Sequence, residues 1–427
     1  MNNTSSSDLS TLKAVVACAL PFLIILVFYV IFEPENARTS FIEMLQGLSF
    51  RRATRWTRFT RHRSAFGPFS LPKAITSYDQ YLETSLENIT AMRNSYSRII
   101  WSHKHVGYEL GYPEKLKQAE HVVKLNAEVT RGIVDLARSE LSEHPHCNTP
   151  YVQTDLGRVQ ESLKHFVRDW SEEGAQERGR IFEPILNVLK DVPVEQRGGM
   201  KVLVPGSGLG RLAWEISELG FNTTAIEFSY FMTLGMRFLC SPQKTLNVNQ
   251  HTIYPYANWF SHTRNNEDLF RGIPFPDAVP RFGRNLHLIE GDFLEYGHAD
   301  EYDFVVSLFF IDTSLNIIST LQHIHKLLKP AGTWINLGPL LWTSGGRAQL
   351  ELSLDEVLRL AGMVGFRIEG EEVQDHNGDN HARLDPVSIP SDNKKRRTVE
   401  CEYTANRLAM MRWLYQAEFW VGTKLKQ

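Results

Sequence analysis

The spacing of apolar positions changes character along the chain, and each change marks a different kind of element. From Ala14 to Phe32 the sequence is apolar and uncharged, close to the roughly 20 residues a helix needs to cross the hydrocarbon core of a bilayer. This run reads as a transmembrane signal anchor. It is too long for the core of a cleaved signal peptide, and it ends in Phe32-Glu33-Pro34-Glu35 rather than at a small-residue cleavage site; a buried helix is the alternative. Between Ser77 and Leu141 there are few breakers apart from Gly107, Gly111 and Pro113, which predicts a long helical pair. Beyond a loop around 144–150, Val159, Leu163, Phe166, Val167 and Trp170 recur at helical spacing.

The period then shortens. Brief apolar runs alternate with helical patterns, as a parallel α/β sheet demands. Strands are predicted at 201–205, 223–228, 286–290, 302–310 and 332–337. Helices should start near Leu209, Phe231 and Ser314, with another across 354–364 and a strand at 366–373. The polar stretch 374–397 reads as a loop. Strands at 399–403 and 418–423 should close the sheet around a short helix through Met410 and Met411.

Charge refines this plan. The chain has 427 residues and a formal charge of -3, so no global polycation suggests a nucleic-acid partner. Arg51, Arg52, Arg55, Arg58, Arg61 and Arg63 lie in a stretch without a carboxylate between Glu43 and Asp79, whereas only Lys13 and the amino terminus precede the apolar run. That bias puts the C-terminal bulk in the cytosol. With Trp56 and Phe59 interleaved, the basic stretch suits either an anionic leaflet or a solvated linker. The four cysteines have no CxxC or Cys/His spacing, so no metal site is expected.

The chemistry concentrates at Gly206-Ser-Gly-Leu-Gly210, which follows an apolar strand and opens a helix. Such a turn lets backbone approach a ligand closely and leaves its amides free to bond it. A dinucleotide fingerprint would have a small residue where this chain has Arg211, which argues against NAD or FAD. Glu227 ends the second strand, where a carboxylate can accept both ribose hydroxyl protons. Asp292-Phe293 ends the third, where the pair can meet adenine. Read blandly, Glu227 is a surface carboxylate and Asp292 a helix cap beside a core aromatic.

The string 202–216, Val-Leu-Val-Pro-Gly-Ser-Gly-Leu-Gly-Arg-Leu-Ala-Trp-Glu-Ile, closely resembles the carnosine N-methyltransferase family, the N2227-like proteins. Phe166-Val-Arg-Asp-Trp-Ser171, Glu227-Phe-Ser-Tyr-Phe-Met232, Glu290-Gly-Asp-Phe293, Phe309-Phe-Ile-Asp-Thr313 and Trp334-Ile-Asn-Leu-Gly-Pro-Leu-Leu341 resemble it in the same order. The resemblance implies a class I, Rossmann-like methyltransferase fold that binds S-adenosylmethionine (SAM) through Gly206, Gly208, Gly210, Glu227, Asp292, Phe293 and Leu308. It also implicates Arg168, which would pair with the cofactor carboxylate, and His165, which stands where relatives have a glutamine.

On the acceptor side the resemblance gives Asp312 the imidazole of a histidine-containing dipeptide and makes it the catalytic residue, with Tyr403 and Tyr415 lining that site. A carboxylate accepting one ring N–H would fix the tautomer and enrich the attacking nitrogen; an Asp in this place also suits a helix cap. The chain departs from the family after Gly338-Pro-Leu-Leu-Trp342, where Thr343-Ser-Gly-Gly346 replaces a histidine that contacts the acceptor. The expected organisation is a non-cytosolic 1–13, an anchor at 14–32, a basic linker at 33–74, a helical region at 75–180 and a methyltransferase domain at 181–427 with insertions at 241–285 and 374–398. The expected activity is N-methylation of carnosine or a similar dipeptide. A different small-molecule or protein acceptor, and an idle SAM-binding membrane scaffold, are the alternatives.

Overall fold

The computed structural model describes residues 67–144, 146, 153–342, 348–369 and 396–426, all within one compact unit, His62–Gln427. Helices come first: α1 (Leu71–Asp79), α2 (Tyr81–Ser97), α3 (Trp101–Glu109), α4 (Tyr112–Glu140), α5 (Leu156–Trp170) and α6 (Ala175–Lys190). The helical pair expected between Ser77 and Leu141 is therefore a series of four helices. One break is local chemistry: Gly111 sits at φ 74°, which ends a helix, and Pro113 falls in the first turn of α4, where a missing N–H costs nothing. In α5, Asp155 caps the start by accepting from the Arg158 N–H at 3.1 Å, and Val159, Leu163, Phe166 and Trp170 are fully buried on one face. Gly174 permits the tight link to α6, since a Cβ there would stand 2.3 Å from the Val167 and Arg168 carbonyl oxygens.

The sheet follows. Its elements are β1 (Lys201–Pro205), α7 (Arg211–Glu218), β2 (Asn222–Glu227), α8 (Tyr230–Cys240), β3 (His251–Ile253), β4 (Ile273–Phe275), β5 (Leu286–Glu290), β6 (Tyr302–Leu308), α9 (Ile317–Leu327), β7 (Leu328–Gly338), α10 (Leu354–Val364), β8 (Phe366–Ile368), β9 (Arg397–Cys401) and β10 (Tyr415–Lys424). The order is β5-β2-β1-β6-β7-β10-β8. The first five strands are parallel, whereas β10 runs antiparallel to β7 and to β8 and β9, which share its other side end to end. This is the class I methyltransferase order that the resemblance implied.

Each face of the sheet carries its own core, as the unbroken apolar runs require. Val202 and Val204 of β1 pack with Ile181 and Ile185 of α6 and Ile216 of α7. Leu203 faces the opposite way, toward Leu321 and Ile324 of α9 and Val357 of α10. A third core joins α1, α2, α4 and α5 to the β3–β4 hairpin, which sequence patterning missed. Buried Asn126 of α4 fixes that junction, accepting from the Tyr254 N–H at 2.7 Å and donating to the Tyr254 carbonyl at 3.0 Å.

Two expectations are corrected. No helix among the described residues is long and apolar enough to cross a membrane, so the fold is assigned without the transmembrane helix, and the single-pass, cytosol-facing membrane localisation is withdrawn with it. The run 14–32, the N-terminus before it and the basic arginines after it lie outside the described residues, as do 343–347 and 370–395. Met410 and Met411 are not helical either: both are exposed, between a turn and the start of β10.

Candidate active site

The site is assembled where the parallel strands end. After β1 the chain turns through Gly206, Gly208 and Gly210 at φ 63°, 56° and 77°, all in the left-handed region that favours glycine. The three do different things. A Cβ on Gly206 would stand 2.6 Å from the Phe310 ring, and one on Gly210 would stand 2.4 Å from Met236, so those two permit close packing. At Gly208 nothing lies within 4 Å, which leaves that side of the loop open. Glu227, at the end of β2, accepts from the Gly208 N–H at 2.9 Å and the Ser229 N–H at 2.8 Å. Burial pushes its carboxyl up, and the two N–H groups oppose that shift.

At the end of β5, Asp292 accepts from the Leu294 N–H at 3.0 Å and caps a single 3₁₀ turn, Phe293–Glu295. Phe293 is buried edge-on between Phe310, at 5.3 Å, and His323, at 4.8 Å. Leu308 is the half-buried last residue of β6, paired with Leu337.

Sequence reasoning passed over the residue that joins the two halves of the site. Phe309 follows β6 at φ 50°, a conformation costly for a side-chain-bearing residue, and Gly338 makes room for it, with its own Cβ position 3.2 Å from the Phe309 backbone. The kink sends successive phenyl rings apart: Phe310 packs on Gly206 and Phe293, while Phe309 meets Tyr403 at 4.9 Å and Tyr415 at 5.9 Å. Tyr403 in turn lies edge-on to His165 at 5.5 Å and under the Arg168 guanidinium at 4.7 Å.

Arg168 is buried and makes a two-pronged pair with Asp169, at 2.7 and 3.1 Å. Burial works against its charge, but Asp169, with Tyr403 and Glu177, more than compensates and holds it above the usual guanidinium range. His165 is pulled down to about 4 by burial and by Arg168, so its imidazole is neutral. The loop after Tyr403 is fixed by Glu177 of α6, which accepts from the N–H groups of Thr404 at 2.7 Å and Ala405 at 3.1 Å.

Asp312 sits three residues beyond Phe309, 4% exposed, in the 3₁₀ turn Ile311–Thr313. It accepts from the Leu341 N–H at 3.0 Å, and burial pushes its carboxyl up to about 7. It does not cap α9; Asn316 does, accepting from the Ser319 N–H at 3.3 Å. The structure thus gathers His165, Arg168 and Phe309 around Tyr403, with Tyr415 on the Phe309 ring, and brings Gly206 and Phe293 to Phe310, with Glu227 bonded to Gly208 of the same loop. Thr343, at the point of departure, is outside the described residues.

The family model for carnosine N-methyltransferase matches residues 145–384. A carnosine N-methyltransferase of Schizosaccharomyces pombe is 31% identical over 380 residues, covering 82% of this chain and 93% of that one. The chain belongs to the carnosine N-methyltransferase family. The mouse carnosine N-methyltransferase is 35% identical over 280 residues, which is 63% of this chain and 64% of the mouse protein. The Drosophila melanogaster relative, named carnosine N-methyltransferase unmet, is 33% identical over 281 residues, 62% of this chain and 55% of that one. The matched region therefore spans just under two thirds of the mouse protein's length. Within this carnosine N-methyltransferase family member the matched span includes the glycine loop, His165, Arg168, Glu227, Asp292 and Asp312, and stops short of Tyr403 and Tyr415.

Proposed function

We propose that this chain methylates an imidazole nitrogen of carnosine, or of a similar histidine-containing dipeptide, with SAM as donor. The observation that carries the reading is Asp312, a buried carboxyl in the turn just beyond β6, three residues after Phe309, whose own ring meets Tyr403 and Tyr415. Membership of the family supports it.

The residues present fit the cofactor. Gly208 opens on free space, and Ser207 Oγ and His165 Nδ1 are buried polar atoms without a protein partner, one on the glycine loop and one beside Arg168. Gly206, Gly208, Gly210, Glu227, Asp292, Phe293 and Leu308 would hold the nucleoside end, and Arg168 with His165 the carboxylate end. When bound, SAM supplies a methyl group on a positively charged sulfur.

The chain's own part is to prepare the acceptor. An imidazole, with a pKa near 6.5, offers a neutral lone pair at about pH 7 and above, so no strong base is needed. Asp312 accepts the N–H of the non-reacting nitrogen and so fixes which nitrogen attacks. Transfer turns the ring into an imidazolium that still holds its N–H, and Asp312, a carboxylate whose proton affinity is centred at about pH 7, can then take that proton and leave a neutral N-methylimidazole. The tyrosine rings exclude water and flank the ring.

A direct test mixes the protein with methyl-labelled SAM and carnosine and looks for N-methylated dipeptide. Wild type should form product and Asp312→Asn should lose it by at least about a hundredfold, the scale of a positioned proton acceptor. Absence of product from wild type would defeat the dipeptide reading. Thr343 in place of the family histidine favours a second reading, in which the same imidazole chemistry serves another small molecule or a protein histidine. An untargeted search for labelled products in the same assay separates the two.

A further inference from the structure

Asp277 lies just after β4, outside every segment assigned above, yet it connects the glycine turn to the Arg168 segment of the proposed cofactor site. Its two carboxylate oxygens are shared between two arginines: Oδ1 pairs with Arg211 Nη1 and Oδ2 with Arg178 Nη2. Its backbone N–H donates to the Trp170 carbonyl at 2.9 Å. Arg211 is the first residue of α7, directly after the glycine turn, and also donates to the Asp169 carbonyl at 3.0 Å. Arg178 donates to the Arg168 carbonyl at 2.8 Å and to the Ser171 carbonyl at 2.7 Å. The ring closes through Trp170, whose indole N–H donates to the carbonyl of Leu209 inside the glycine turn at 3.0 Å.

The charges balance around this ring. Arg168, Arg178 and Arg211 are all buried and are answered by Asp169, Asp277 and Glu215, the last pairing with Arg211 at 2.8 Å. Removing the Asp277 charge leaves Arg178 and Arg211 buried and facing one another without their shared counter-ion, an expensive arrangement that relaxes by moving one of them. Either movement shifts Arg168 or the glycine turn.

We infer that Asp277 is a positioning residue for the cofactor, holding the glycine turn and the Arg168 segment in register through Arg211 and Arg178. This rests on the SAM reading of the site above. Asp277 itself touches neither ligand.

The test compares binding of S-adenosylhomocysteine by calorimetry with steady-state kinetics on the whole protein. Asp277→Asn keeps shape and removes charge; it should raise the Kd for S-adenosylhomocysteine and the KM for SAM about tenfold or more, with the acceptor KM within twofold of wild type. Asp277→Glu should recover part of the affinity. Should Asp277→Asn fail to fold, Arg178→Lys keeps the charge and loses the fork, and should raise the same Kd severalfold. An unchanged Kd in the soluble variant, or a lower melting temperature with unchanged KM for SAM, overturns the inference while wild-type binding upholds the cofactor reading. Wild-type protein that binds no S-adenosylhomocysteine overturns both.

Discussion

Asp312 carries two opposing demands in one side chain. Its carboxyl is held up to about 7 by burial, against an ordinary 3.8, so between pH 4 and 7 the folded chain keeps a proton that the unfolded chain has released. Folding stability therefore falls as pH rises through that window, by about 4 kcal/mol for three units, and stays lowered above it. Asp312→Asn cannot ionise, so its melting temperature should exceed wild type at pH 8 and the gap should close near pH 4, even as methyl transfer is lost. Thermal scans across pH read this directly, and a variant less stable than wild type at pH 8 would sink it. Because the free enzyme needs Asp312 ionised and the acceptor imidazole neutral, kcat/KM for the acceptor should climb through about pH 7 and level off above it. His165 works in the other direction: with its imidazole lowered to about 4, stability is lost as pH falls from 6.5 toward 4. His165→Gln, which removes the titrating ring, should keep the KM for SAM within about twofold and melt higher than wild type at pH 5.

Among elements, the glycine turn separates ligand approach from packing. Gly208→Ala meets no atom within 4 Å but must adopt φ 56°, a strain of about 1–2 kcal/mol, and its methyl would enter the open side of the turn. Gly210→Ala meets Met236 at 2.4 Å as well as φ 77°. The first should weaken S-adenosylhomocysteine binding at least tenfold for a small change in melting temperature; the second should chiefly destabilise the protein. Calorimetry and thermal scans on the pair distinguish them. The turn itself was legible in sequence, because a buried parallel strand is a continuous apolar run and glycines at its end stand out. The end of β6 was not: the apolar run 302–310 hides the left-handed Phe309, and the strand stops at Leu308. Neither was the β3–β4 hairpin, whose three-residue strands are too short to show a period. The apolar pair Met410-Met411 misled in the opposite sense, being exposed.

At the scale of the molecule, the site draws on chain segments far apart. Glu177 reaches Thr404 across 227 positions, and no local pattern announces such a bond, which is why Arg168 and Tyr403 were found by resemblance and their contact was not foreseen. If α5, the glycine turn and the Tyr403 loop hold one ligand, S-adenosylhomocysteine at a hundred times its Kd should stabilise the fold by about 2.7 kcal/mol. Hydrogen exchange should slow together at 165–171, 206–210 and 403–405, while α2 and α3 stay unchanged. Protection confined to 206–210 would mean that the remote segments do not share the ligand.

The position of β10 bears on how the protein is made. It is the last strand to be synthesised among the described residues, yet it fills the slot between β7 and the β8–β9 edge, with Phe419 and Trp420 wholly enclosed. A ribosome-bound chain that has not yet produced 415–424 holds a sheet with β7 open along its length, the kind of unpaired edge that recruits other strands. A chain cut before residue 415 would be left at that exposed stage, so it should give less folded protein and aggregate more readily than the whole chain.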